Sequence, residues 1–102
     1  MKVEQIGVVS VDAGILMVGD PCYHLDGQIR PKDFGKNWSD FCMTKLMKDG
    51  KGLDFAQLDH DRGHAGLAVV CGGFGGDGCY PVFVEKAEDG MVNRLIVEFR
   101  NE

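Results

Sequence analysis

Apolar positions along this chain fall mostly into short runs bounded by glycine and charge, the spacing of strands rather than of helices. Residues 2–11, KVEQIGVVSV, start in loose alternation and end β-branched, which predicts a strand. Asp12-Ala13-Gly14 is a turn signal, and the run Ile15 to Val18 has the length of a buried strand. Together they predict a hairpin that delivers Gly19-Asp20-Pro21-Cys22-Tyr23-His24 at its end. Pro21 cannot donate to a ladder and pushes Asp20 into an extended conformation, so the strand must stop there.

From Leu25 to Lys36 the chain turns polar, with Gly27, Pro31 and Gly35, and reads as a loop. One helix is predicted, from about Trp38 to Asp49. Trp38, Phe41, Cys42 and Leu46, with Met43 and Met47 less regularly, share one broad face at a spacing of three to four residues. Asn37 caps it with Asp40 three residues on, Lys45 and Lys48 sit in its last turn, and Gly50 ends it. Residues 53–58, LDFAQL, and 67–71, LAVVC, read as two strands around a charged loop from Asp59 to His64. Tyr80, Val82 and Val84 share a face of the next strand. Glu88-Asp89-Gly90 turns the chain into a last strand carrying Leu95, Val97 and Phe99 on one face. The expected fold is a single α+β, β-rich domain over residues 1–102: a mostly antiparallel sheet of about six strands with one helix packed on it.

Composition narrows the function classes. Eleven basic against sixteen acidic residues give a net charge of −5, which disfavours a nonspecific grip on nucleic-acid backbone. No apolar run approaches the roughly 20 residues of a membrane span, and the N-terminus lacks a signal pattern, so a cytoplasmic protein is expected. Cys22, Cys42, Cys71 and Cys79 form no CxxC pair and read as free thiols, two of them in core-like surroundings. Glycine, at fifteen residues, is about twice its usual share and calls for tight turns or a backbone-lined site.

Five glycines crowd into Gly72-Gly73-Phe74-Gly75-Gly76-Asp77-Gly78, just before a strand. Such a loop brings bare N–H groups to the mouth of a sheet. It lacks the Gly-Lys-Ser/Thr ending and following helix of a mononucleotide loop. Two pentapeptides nearly repeat: Gly19-Asp20-Pro21-Cys22-Tyr23 and Gly76-Asp77-Gly78-Cys79-Tyr80. If their strands are neighbours, Asp20, Cys22, Tyr23, Gly75, Gly76, Asp77 and Tyr80 line one ligand site, with Phe74 a lone aromatic at the loop tip, available for stacking or simply tucked into the core. The aspartates would take ribose or base-edge hydrogen bonds and the tyrosines would stack. The competing reading is two turns in which Asp caps amides and Tyr packs. A metal set of Cys22, His24, Cys79 and His60 or His64 has no regular spacing, and no cofactor or metal is expected. A thiol nucleophile, Cys22 or Cys79 with His24, would need an oxyanion pocket. Acid pairs could be drawn from Asp12, Asp20 and Asp77, although loop aspartates mostly form turns.

The ending GDGCYPVFVEKAEDGMVNRLIVEF resembles the C-terminal motif of the uncharacterised family called domain of unknown function 4241. In that family a G-D-G-x-Y-P-V strand leads through a short turn to a strand ending in an acidic residue and phenylalanine. Residues 11–23, with Gly19-Asp20-Pro21-Cys22-Tyr23, are similar to the D-P-C-Y segment of small phage and prophage proteins with the same ending. The resemblance implies a small phage-type accessory protein in the host cytoplasm and carries no established activity. Three functions follow as expectations. The preferred one is a non-enzymatic protein, alone or as a homo-oligomer, that sequesters a small anionic, nucleotide-like ligand. The alternative is a protein–protein inhibitor that covers a host enzyme with an acidic surface. The third is a hydrolase using Cys22 with His24 or the aspartates.

Overall fold

The computed structural model describes residues 2–25, 36–43, 47–48, 51–52, 54–59 and 66–100. Their elements are, in chain order, β1 (Lys2–Val11), β2 (Leu16–Gly19), α1 (Pro21–Leu25), α2 (Trp38–Phe41), β3 (Met47–Lys48), β4 (Lys51–Gly52), β5 (Phe55–Leu58), β6 (Ala68–Cys71), β7 (Gly78–Lys86) and β8 (Val92–Val97). The chain divides into two compact units: Met1–Gly14 with Phe74–Glu102, and Ile15–Gly73, which is inserted in sequence between β1 and β7.

The first unit is an antiparallel sheet in the order β1-β7-β8. Its β1–β7 ladder runs from Lys2↔Lys86 to Val11↔Gly78, with a bulge at Ile6 between the pairs Gln5↔Phe83 and Gly7↔Val82. Alternation along the strands places Tyr80, Val82 and Val84 on one face together with Leu95 and Val97, as their spacing predicts. Among the described residues, Val11, Phe74 and Val84 are this unit's buried hydrophobics. The turn after β7 is closed by the Gly90 N–H donating to the Ala87 carbonyl, and Asp89 accepts from the Met91 N–H.

The second unit holds an antiparallel sheet in the order β2-β6-β5 and the short β3–β4 pair. Phe41 of α2 is fully buried among Leu58, Leu67, Ala68 and Val70, with Ile15, Tyr23, Cys42 and Ala56 packed around them. The helix thus lies on the β5–β6 sheet, as its apolar face implies. Asn37 caps it as expected, its side-chain oxygen accepting from the Asp40 N–H at 3.0 Å. Asp40 answers by accepting from the Lys36 N–H.

Four features depart from the sequence reading. The β-rich, antiparallel fold holds, but the strands form two three-stranded sheets rather than one of about six. β1 and β2 do not pair as a hairpin. A four-residue β2 would cover less than half of the ten-residue β1, whereas the nine residues of β7 cover nearly all of it. The helix is four residues long and does not run to Asp49, because Met47–Lys48 pairs with Lys51–Gly52. A second short helix, α1, forms where only a strand end was expected, with Pro21 at its first position. The expected loop from Leu25 to Lys36 and the charged loop from Asp59 to His64 lie largely outside the described residues.

Candidate functional site

The two related pentapeptides fall in different units, so each has its own geometry. Around the first, Asp20 precedes α1 and its carboxylate accepts from the Cys22 N–H at 2.8 Å, while its carbonyl accepts from the Tyr23 N–H. This is a helix cap, the turn chemistry weighed for that aspartate. Cys22 is exposed, and Tyr23 is half-buried against the hydrophobic core. His24 folds back over Gly19. A Cβ at Gly19 would collide with the His24 ring and crowd the Ala68 side chain, so a larger residue there would push the ring aside. The His24 Nε2 is buried there without a hydrogen-bond partner.

Around the second pentapeptide, Tyr80 ties the glycine loop to the strand that follows. Its hydroxyl donates to the Gly76 carbonyl at 2.7 Å. Gly75 and Gly76 have φ values of 115° and 92°, and a Cβ at either would meet nothing within 4 Å. Backbone conformation, not lack of space, therefore demands glycine at both positions. Phe74 is 8% exposed, with its ring stacked on Phe99 at a centroid distance of 4.1 Å and edge-on to Tyr80 at 5.2 Å. Tyr80 meets Phe99 edge-on at 5.3 Å, completing a three-ring cluster. The Phe74 ring is thus occupied within the cluster and does not stand at the loop tip. Asp77 is exposed, with its carboxylate beside Gly14.

Next to the rings lies an open hollow of about 220 Å³ lined by Cys79, Tyr80, Pro81, Glu98, Phe99 and Arg100. The β7–β8 hairpin builds it. Beyond the pair Val82↔Val97, the Glu98 N–H donates to the Pro81 carbonyl, so the residues after β8 run back alongside Tyr80 and Cys79. Cys79 stands 3.3 Å from the Ser10 hydroxyl, its cross-strand partner. That contact is a neutral hydroxyl, not a base that could take the thiol proton.

Of the sequence candidates, the structure gathers Phe74, Gly76 and Tyr80 into one set of contacts, with Gly75 and Asp77 in the same loop. Asp20, Cys22 and Tyr23 belong to the other unit. His60 and His64 lie outside the described residues, which contain no group of three or more side chains placed to hold a metal ion. All four cysteines are free, Cys22 and Cys79 exposed, Cys42 and Cys71 half-buried. Burial pushes the Cys42 thiol above its ordinary value, which makes it a poor nucleophile. Sequence reasoning missed Pro81, Glu98, Phe99 and Arg100. The signal was present: the short turn at Glu88-Asp89-Gly90 sets a register that brings Glu98 beside Pro81 and Phe99 near Tyr80. No family model, curated protein or solved structure matches the chain. No helix among the described residues is long and apolar enough to cross a membrane.

Proposed function

We propose that this protein binds a small anionic, nucleotide-like ligand at the end of β7 and releases it chemically unchanged. The observation that carries the reading is the hollow beside the three-ring cluster, whose lining residues include Tyr80, Glu98, Phe99 and Arg100. Arg100 suits a phosphoryl or carboxylate group, and Glu98 suits a sugar hydroxyl or ring N–H. A hollow of 220 Å³ is below the roughly 300 Å³ at which whole drug-sized ligands are enclosed. It therefore takes one end of such a molecule, a phosphate or a single ring. Binding without turnover is supported by the pairing of Cys79 with Ser10, which offers no general base. The phage-type context implied by the chain's ending agrees with a sequestering role.

Native mass spectrometry of the purified protein with a mixed panel of linear and cyclic nucleotides tests this. One stoichiometric adduct is expected, recovered intact and weakened at least about tenfold by Arg100→Ala, the loss of one charge-assisted contact. A protein that ignores the whole panel would abandon this reading in favour of the protein–protein inhibitor.

A further inference from the structure

A proline stands in β7, the middle strand of the β1-β7-β8 sheet, where each residue is expected to donate an N–H to one neighbour. The Glu98 N–H donates to the Pro81 carbonyl at 3.1 Å, so these two residues face each other as a hydrogen-bonded pair. In such a pair each residue also accepts from the other's N–H. Pro81 has none to give, and among the described residues no other donor reaches the Glu98 carbonyl. Backbone directions alternate along a strand, so Cys79, two residues before Pro81, turns its N–H and carbonyl to the same side. β8 has ended at Val97, and among the described residues neither group of Cys79 is bonded on that side. Three open backbone groups result: the carbonyls of Glu98 and Cys79 and the Cys79 N–H. Cys79, Pro81 and Glu98 all line the hollow, and its six lining residues belong to a single unit. The hollow lies where the proline interrupts the ladder.

These groups decide which end of a nucleotide enters. Carbonyl oxygens accept from N–H donors and repel a phosphate. Two acceptors and one donor call for the opposite set on the ligand, two N–H groups beside one carbonyl. The pairing edge of guanine has that set, N1–H and N2–H with O6. The pairing edge of adenine has one amino group and a ring nitrogen that only accepts. Tyr80 and Phe99 also line the hollow, so a flat ring meets aromatic side chains there. We infer that the hollow takes the six-membered ring of a guanine-type base by its pairing edge, held by the open backbone of Cys79 and Glu98, with the phosphate outside. The inference rests on the nucleotide-binding reading above and names the base and its orientation.

Isothermal titration calorimetry with guanosine, adenosine, N1-methylguanosine and inorganic phosphate tests this. Guanosine should bind roughly tenfold tighter, or more, than adenosine or N1-methylguanosine, because each of those loses an N–H contact to a carbonyl. Inorganic phosphate should not displace it. Pro81→Ala supplies the missing N–H, which should close the pair with the Glu98 carbonyl. Hydrogen exchange should then show the new amide at position 81 protected, and guanosine affinity should fall about tenfold. Circular dichroism checks that the variant is folded. If adenosine binds as well as guanosine, or phosphate displaces guanosine, the inference is overturned while the nucleotide-binding reading stands. A Pro81→Ala protein that leaves its new amide unprotected, or protects it and binds guanosine as before, overturns the inference as well. If no nucleoside or nucleotide binds at all, the inference and the reading beneath it fall together.

Discussion

The two units of this protein divide ladder and burial between them in opposite ways. Among the described residues the inserted unit has strands of four residues at most, yet it contains the fully buried Phe41, Leu67 and Val70. The other has strands of ten and nine residues, and its buried side chains are Val11, Phe74 and Val84. Backbone pairing satisfies N–H and C=O groups but removes little apolar surface from water, and burial needs a second layer. In the inserted unit α2 supplies that layer. In the other, Phe74 and Phe99 stack on each other beside Tyr80. The candidate site belongs to the unit with the longer ladders.

Phe41→Ala breaks this comparison most forcefully. It empties the centre of the better-packed core and should cost about 3–5 kcal/mol in a urea denaturation experiment. Phe74→Ala, which removes the central ring of the other unit's cluster, should cost about 3 kcal/mol or somewhat less, because the loop can close in part. Equal losses would show that the two cores are alike in packing and the contrast unfounded.

Smaller changes sharpen it. Tyr80→Phe deletes only the hydroxyl bond to Gly76, and Asn37→Ala deletes the cap of α2. Each should cost about 1 kcal/mol. Tyr80→Phe should also quicken exchange of the loop amides from Gly75 to Gly78, which Asn37→Ala should leave untouched. The smallest effect is electrostatic. A hydrogen bond and ion pair with Lys86, 2.6 Å away, hold the Glu4 carboxyl below its ordinary value of 4.5. A lowered folded value gives stability that is present above 4.5 and is lost as pH falls through the folded value. Lys86→Met should flatten that part of the acid-side stability curve, and both groups are exposed enough that the change should be slight. A curve of unchanged slope would mean that the pair contributes nothing in solution.

Local signals in the chain were legible where a single residue type decides the geometry. Asn37 and Asp40 marked a cap, Pro21 ended β2 and Gly90 closed a turn, because each rests on contacts within a few residues. The candidate site was legible only in part. Tyr80 and the glycine loop stood out by composition, whereas nothing singled out Glu98 and Arg100 as site residues. Their place beside Pro81 and Cys79 follows from hairpin register, which no residue announces alone.

By itself, then, the sequence determined the β-rich character, the strand stretches near Lys2, Ala68, Gly78 and Val92, the turn at Glu88-Asp89-Gly90 and the glycine loop. These depend on side-chain periodicity and backbone preference, which act over a few residues. Tertiary structure alone decided that β1 pairs with β7 across the inserted unit, that the strands form two sheets, and that Phe74 turns inward onto Phe99. Antiparallel pairing is permitted between any two compatible strands. The choice among partners goes to the longest matched ladder and the best-covered side chains, and both are sums over residues far apart in the chain.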